Sequence, residues 1–157
     1  MASKELKILY EEFASPSEMT ERDQMLVAAA LDAQKGSYSP YSQFQVGAAL
    51  LLADGTVVKG ANQENAAYPS GLCAERTAMF AASANYPDVP MVALAIAGSD
   101  HGVLCNSPAT PCGACRQVMA QYQTKAGKPM SVIMAGSDQI LKVRKVDDLL
   151  PMIFDNI

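Results

Sequence analysis

The chain is organised around two short stretches, Cys73-Ala74-Glu75-Arg76 and Pro111-Cys112-Gly113-Ala114-Cys115-Arg116. Together they supply three cysteine thiols and one glutamate that does not fit as a fourth ligand. A structural zinc site closes its tetrahedron with four protein ligands, whereas a catalytic zinc site keeps three and leaves the fourth position to water. The two stretches therefore predict an enzyme with a catalytic Zn²⁺ centre.

The metal ligands that we predict are Cys73, Cys112 and Cys115. Both stretches lie where a loop meets the predicted start of a helix, whose free N–H groups and partial positive charge lower thiol pKa values. Cys112 and Cys115 are separated by three positions, so that one helical turn places both sulfurs on one side. A redox C-x-x-C motif would need neither the third cysteine nor the glutamate, and we therefore favour metal binding.

The charged neighbours of the cysteines have predicted roles as well. On a first helical turn Glu75 lies close to the metal without pointing at it, which suits a general base that takes a proton from the attacking water. The alternative is that Glu75 is only a favourable first-turn acid. Three thiolates leave Zn²⁺ with a net negative charge, which Arg76 or Arg116 could offset by donating to a sulfur atom. Alternatively, both are solvated surface arginines.

The composition is that of one globular domain over residues 1–157, with an N-terminal extension and first helix (1–36) and a catalytic part (37–157). Half of the residues are apolar and the formal net charge is −4, which disfavours a nucleic-acid partner. No apolar run approaches the roughly 18 residues of a membrane span, and the N-terminus has no signal-peptide core. We therefore expect a cytoplasmic protein without a membrane partner, with its four cysteines reduced.

Periodicity and turn signals predict an α/β fold with a mixed sheet of about five strands and helices on its faces. The predicted strands are Phe44–Leu52, Thr56–Ala61, Met91–Ala97, Met130–Ala135 and Gln139–Arg144. Predicted helices start at Thr20, at Cys73 (to about Asn85) and at Cys112 (to about Tyr122), and a short one covers Val146–Leu150. The segment Lys4–Phe13 fits either a helix or an edge strand, and we favour the strand.

These motifs resemble the cytidine deaminases, in their short single-domain form with three cysteine ligands. The resemblance runs from about residue 38 to residue 154. It rests on Ser39-Pro40-Tyr41-Ser42, Phe44, Val46-Gly47-Ala48-Ala49, Asn62 to Pro69, Cys73 to Arg76, Pro111 to Gln117, and Leu149-Leu150-Pro151 with Phe154.

The resemblance implies a three-layer α/β/α sandwich, one Zn²⁺ per subunit, and a homotetramer whose sites lie at subunit contacts. It implies that Asn62 and Glu64 hydrogen-bond the ribose hydroxyls and that Phe44 lies beside the pyrimidine ring. Taken alone, Phe44 would be assigned to the core and Glu64 to an ordinary loop.

Three further residues gain a role through the resemblance alone. Ala66 and Tyr68 match a loop that lines the nucleoside pocket, partly from a neighbouring subunit. Phe154 matches an aromatic residue that a neighbouring subunit lays over the base.

The expected activity is zinc-dependent hydrolytic deamination of cytidine and 2′-deoxycytidine to uridine and 2′-deoxyuridine plus ammonia, in pyrimidine salvage, with Glu75 as the proton carrier. An ionised Glu64 disfavours a nearby 5′-phosphate, so we expect a free nucleoside.

Three alternatives remain. A deaminase of the antibiotic blasticidin S would share the zinc chemistry, but the loop with Asn62, Glu64 and Asn65 favours ribose. A nucleic-acid-editing deaminase would need a basic surface interleaved with aromatic residues. A non-enzymatic zinc module would need Cys105 as fourth ligand. His101, the only histidine, is expected to be exposed to solvent.

Overall fold

The computed structural model describes residues 1–155, which form a mixed sheet covered by helices on both faces. The strands are β1 (Glu11–Phe13), β2 (Phe44–Leu52), β3 (Val57–Ala61), β4 (Met91–Asp100), β5 (Val103–Leu104), β6 (Ser131–Ala135) and β7 (Ile140–Val143). The α-helices are α1 (Glu21–Ala33), α2 (Ala74–Asn85) and α3 (Gly113–Ala126). Short 3-10 turns cover Pro16–Glu18, Gln34–Gly36, Tyr68–Ser70 and Val146–Asp148.

The sheet has the strand order β1-β7-β6-β4-β2-β3, and β5 pairs with the end of β4. Strands β4 and β6 run parallel, with α3 in the connection between them, and the other recorded pairs are antiparallel. Strands β2 and β3 form an antiparallel hairpin, and Gly55 has a φ of +91° in its turn. Glycine tolerates that conformation without steric cost.

Alternation along β2 divides the core into two apolar layers. Ala48, Leu50 and Leu52 pack with residues of α2 and α3 on one face. Ala49 and Leu51 pack with residues of α1 on the other face. Successive side chains of a strand point to opposite faces of the sheet, and full burial of one leucine stabilises the fold by about 1.5–3 kcal/mol. The structure therefore confirms the three-layer α/β/α sandwich.

Two glycines allow helices to lie directly on the sheet. A Cβ atom on Gly47 would come within 2.0 Å of the Ala30 carbonyl oxygen of α1. A Cβ atom on Gly60 would lie 2.5 Å from the Ala74 carbonyl oxygen and 2.5 Å from the Ala78 nitrogen of α2. The first turn of α2, which carries Glu75, is thus held against β3 at backbone contact.

Within residues 1–155 the sheet contains seven strands rather than the predicted five or so. The two-residue strand β5 was not predicted, since two residues carry no periodicity. The predicted strand Lys4–Phe13 is reduced to Glu11–Phe13, which pairs with Ile140 to Lys142 of the short strand β7.

The predicted starts of the three longer helices agree with the structure, but two predicted helix ends do not. The predicted helix Val146–Leu150 is a 3-10 turn over Val146–Asp148. The Thr20 hydroxyl caps α1 by accepting a hydrogen bond from the Asp23 amide. Helix α3 continues four residues past the predicted end at Tyr122, to Ala126, and ends at Gly127, which has a φ of +64°. Among residues 1–155, no helix combines the length and the apolar character that crossing a membrane requires.

Candidate active site

The three predicted metal ligands come together at the N-termini of two helices. Cys73 is the N-cap residue of α2, Cys112 is the N-cap residue of α3, and Cys115 lies one turn further along α3. Their Sγ atoms all lie within 4.8 Å of one another, and the Cys73 and Cys112 sulfurs are 3.9 Å apart. Tetrahedral Zn²⁺ with Zn–S bonds of 2.3 Å places its sulfurs about 3.8 Å apart. The donor set and its spacing therefore fit zinc.

Cys105 is not a member of this cluster. Its backbone nitrogen donates to the Gly98 carbonyl oxygen, and its carbonyl oxygen accepts from Ser137. Between residues 1 and 155, no fourth His, Cys, Asp or Glu joins the three cysteines within that distance. Within the described residues, the geometry therefore gives no support to a closed structural site with Cys105 as fourth ligand.

The sulfur atoms interact strongly with one another and with Arg76. Hydrogen bonding by the Cys115 thiol, aided by Arg76 and Cys112, lowers the pKa of Cys73 to about 5. Donation to Cys73 and burial raise the pKa of Cys115. A thiolate at Cys73 is thus already favoured before metal binds, and zinc binding has to displace the proton held by Cys115.

The two candidate arginines differ in what they contact. The Arg76 Nη2 atom donates to the Cys73 sulfur at 3.4 Å, and this contact raises the pKa of Arg76. Arg116 instead donates to two carbonyl oxygens, Pro111 at 2.8 Å and Leu149 at 2.8 Å. No hydrogen bond from Arg116 to a sulfur is recorded in the described part of the chain. Arg76 can offset thiolate charge, whereas Arg116 ties the start of α3 to the C-terminal segment.

Glu75 lies in the first turn of α2, with only 4 % of its surface exposed. Burial raises its pKa, and the negative charge of Cys73 acts in the same direction. The carboxyl group lines a cavity of about 310 Å³ together with Cys73 and Cys112. Glu75 therefore lines the same small cavity as two of the three predicted metal ligands.

The same cavity is lined by an aromatic residue and by polar residues. Phe44 lines it, and the Phe44 ring packs over Gly98 of β4, where an added Cβ atom would come within 3.0 Å of the ring. Asn62 and Glu64, from the loop after β3, line it as well. A volume near 300 Å³ is at the small end of ligand pockets, and the combination suits a planar ring with a polar substituent.

The side chains of Asn62 and Glu64 also form hydrogen bonds within the protein. The Asn62 side chain accepts from the Ser37 hydroxyl and the Val46 amide, and its Nδ2 atom donates to the Phe44 carbonyl oxygen. One Nδ2–H bond of Asn62 therefore stays available to a ligand. The hydrogen bond from Ser42 is the first cause of a lowered pKa at Glu64, which holds that carboxyl group ionised.

The remaining predicted residues lie outside this cavity. Ala66 is exposed, the Tyr68 side chain is 76 % exposed, and Phe154 is 69 % exposed. Tyr68 contacts Tyr41 edge-to-face, with ring centroids 5.9 Å apart, beside a second cavity of about 560 Å³. That cavity adjoins the first one at Cys73, Asn62 and Glu64.

Several lining residues had no predicted role, namely Ser42, Val46, Ile96, Ala109 and Thr110. Ser42 and Val46 belong to motifs that carry the family resemblance, but neither residue was assigned a role from the sequence. Ile96 is indistinguishable from a core residue until the sheet is assembled. His101 is exposed, as predicted, and pairs with Asp100 at 2.7 Å.

Three comparisons with known proteins agree with this geometry. A family model described as the cytidine and deoxycytidylate deaminase zinc-binding region matches residues 20–128. A protein of Halalkalibacterium halodurans named cytidine deaminase is 54 % identical over 99 residues, which is 62 % of this chain and 70 % of the relative. A cytidine deaminase of Mycobacterium tuberculosis is 38 % identical over 130 residues, 83 % of this chain and 87 % of the relative.

The fold comparison gives the same family. The crystal structure of cytidine deaminase from Burkholderia pseudomallei superposes with a TM-score of 0.72 at 40 % identity, covering 87 % of this chain and 100 % of that chain. The matched region contains all three cysteines and Glu75. The chain belongs to the zinc-binding family of cytidine and deoxycytidylate deaminases.

Proposed function

We propose that the protein hydrolyses the exocyclic amine of cytidine and 2′-deoxycytidine, giving uridine or 2′-deoxyuridine and ammonia. The observation that carries the proposal is the cavity in which buried Glu75 lies beside the cysteine cluster. Deamination by this family requires an activated water and a group that moves protons, and both have a place in that cavity.

Cys73, Cys112 and Cys115 would hold Zn²⁺, which when bound would supply an activated water as the nucleophile. Glu75 takes up the proton that this water loses and delivers it to ring nitrogen N3 as C4 is attacked. It then carries the second proton of the water to the departing amine, so that one water is consumed and one ammonia released. Arg76 moderates the charge of Cys73 by its hydrogen bond to the sulfur.

The proposed substrate is a free nucleoside. Phe44 provides a face for the pyrimidine, and Asn62 and Glu64 provide polar atoms for the sugar. None of the described residues that line this cavity is a lysine or arginine, and ionised Glu64 repels a phosphate. A nucleotide would therefore bring an uncompensated charge into the site.

The exposed residues Ala66, Tyr68 and Phe154 support a homotetramer whose sites lie at subunit contacts. Tyr68 and Tyr41 form an exposed aromatic pair that lines the second cavity, and an exposed apolar patch beside a cavity is a surface that a partner can cover. We place the reaction in pyrimidine salvage, in the cytoplasm, where the free thiols stay reduced.

A direct assay follows the ultraviolet absorbance of cytidine, 2′-deoxycytidine and blasticidin S during incubation with the purified protein. We expect loss of absorbance with both nucleosides, no reaction with blasticidin S, and loss of activity with a zinc chelator. Turnover of blasticidin S alone, or full activity in protein shown to be free of zinc, would overturn the proposal.

A further inference from the structure

The Ser42 side chain bridges Glu64 and Phe44, two residues that line the cavity. Its hydroxyl donates a short hydrogen bond to the Glu64 Oε1 atom and accepts one from the Phe44 amide at 3.0 Å. A serine hydroxyl has one proton to donate, and here that proton goes to the carboxylate. Ser42 therefore connects the residue proposed for the sugar with the residue proposed for the base.

The Glu64 carboxylate is clamped by three donors from one loop. Besides the Ser42 hydroxyl on Oε1, the Tyr41 amide donates to Oε2 at 2.9 Å and the Ser42 amide donates to Oε2 at 3.2 Å. A carboxylate offers roughly four acceptor positions, and the two amides occupy the positions on Oε2. The position left for a sugar hydroxyl is therefore the second one on Oε1, the atom that Ser42 holds.

We propose that Ser42 is a positioning residue for substrate binding, because its hydroxyl fixes the Glu64 carboxylate with one acceptor position open to the nucleoside. The inference rests on the proposed function of Glu64 as sugar ligand. Backbone amides alone hold only Oε2, so that without the hydroxyl Oε1 has no fixed direction. A hydrogen bond to a charged group depends on alignment, and its loss weakens binding by about tenfold.

The effect should appear in substrate binding and not in chemistry, since Ser42 has no recorded hydrogen bond to Glu75 or to a cysteine. We expect Ser42→Ala to raise the KM for cytidine about tenfold while kcat changes less than threefold. Ser42→Thr keeps a hydroxyl at the same position and should restore the KM to within about threefold of the native value, because Ser42 is exposed and has room for a methyl group.

A double-mutant cycle separates positioning from a general structural effect. If Ser42 acts through Glu64, then Ser42→Ala should add less than twofold to the KM of a Glu64→Ala protein. Ser39→Ala is the matched control, because it removes a hydroxyl from the same loop whose recorded partner is Ser37 and not Glu64. All variants are compared as zinc-loaded full chains with measured melting temperatures.

The outcomes distinguish the two levels of the proposal. An unchanged KM in Glu64→Ala would overturn the substrate role of Glu64 and the positioning role with it. A raised KM in Glu64→Ala together with a native KM in Ser42→Ala would overturn only the role of Ser42. An equal rise caused by Ser42→Ala in both backgrounds, or by Ser39→Ala, would also overturn that role.

Discussion

At the scale of single residues, Glu75 combines two properties that a proton carrier needs. It is buried at the start of a helix. The backbone N–H groups there favour the ionised carboxylate and lower its pKa, whereas burial favours the protonated form and raises its pKa. A carboxyl group under these opposing influences holds a proton more readily than a free glutamate does and can still return it.

Glu75→Gln should therefore keep the fold and the zinc but lower kcat by about 10²–10⁴-fold, the usual contribution of general acid–base catalysis. Zinc content and steady-state rates check this. Glu21→Gln, which removes an exposed first-turn acid from α1, is the control and should retain native kcat. Native turnover in zinc-loaded Glu75→Gln would mean that the glutamate is only a first-turn acid.

Residue roles were predictable where local spacing determines them. Cys112 and Cys115 share a helical turn, and each cysteine stretch marks its own helix start. Arg116 was not predictable in this way, because its acceptor at Leu149 is 33 residues away in the sequence. Ser42 was part of a motif, but its contact with Glu64 spans 22 residues and becomes visible only when the loops are folded together.

At the scale of elements, the position of α2 relative to β3 determines where Cys73 and Glu75 lie. Gly60→Ala would force a methyl group to within 2.5 Å of two backbone atoms of α2. We expect a loss of about 1–3 kcal/mol in the free energy of unfolding and weaker zinc binding, because the ligand on α2 shifts relative to those on α3. Denaturant unfolding and competition with a zinc-binding dye measure both effects.

Gly36→Ala is the matched control for this helix-packing prediction. Its added Cβ atom would meet nothing closer than the Ala61 Cβ atom at 3.7 Å, and it should leave both properties unchanged. Native stability and zinc affinity in Gly60→Ala would show that the packing of α2 does not set the site.

A buried ion pair holds α1 to β7 on the opposite face of the sheet. Asp23 is 1 % exposed and accepts a hydrogen bond from Lys142 at 2.5 Å. Burial alone would raise the pKa of Asp23, but Lys142 and then Arg22 outweigh burial, and the pKa lies below its ordinary value. The pair therefore contributes stability above about pH 4, which is lost as the pH falls through the lowered pKa.

Lys142→Met should lower the free energy of unfolding by about 3 kcal/mol at pH 7, because it leaves a buried carboxylate without its main partner. The difference from the native protein should narrow as the pH is lowered from 5 to 3. Lys35→Met, at an exposed pair with Asp32, should have little effect at either pH. A difference that is independent of pH would show that Lys142 acts by packing alone.

Elements were predictable where apolar periodicity continues over several turns or strand residues. Strands β2 and β4 and the starts of the three longer predicted helices follow from such patterns. Strand β5 has two residues, and the extent of β1 is set by its partner β7, so neither could be derived from local sequence. The end of α3 was signalled by Gly127, a residue that commonly terminates helices in a left-handed conformation.

At the scale of the whole molecule, exposed aromatic residues near the cavities predict that further copies of the chain complete the site. We expect sedimentation velocity to give the mass of four chains. Tyr68→Ser should weaken assembly and raise the KM with little change in the stability of the subunit, since the recorded ring contact of Tyr68 is with exposed Tyr41. Leu9→Ser, at a side chain that is 74 % exposed on the N-terminal segment, is the control.

A fully active single chain in solution would contradict this assembly. Subunit arrangement was the part least accessible to sequence reasoning, because periodicity indicates burial within one chain, whereas Phe154 is 69 % exposed.

The central claim is that three cysteines hold one zinc ion and leave one coordination position to a ligand that is not a side chain. X-ray absorption at the zinc edge of the purified protein measures this directly. We predict one zinc per chain with three sulfur neighbours at about 2.3 Å and one oxygen neighbour, and unchanged sulfur coordination in Cys105→Ser. Two results would contradict the account. One is a zinc ion with four sulfur neighbours, and the other is protein that contains no zinc after preparation in zinc-containing buffer.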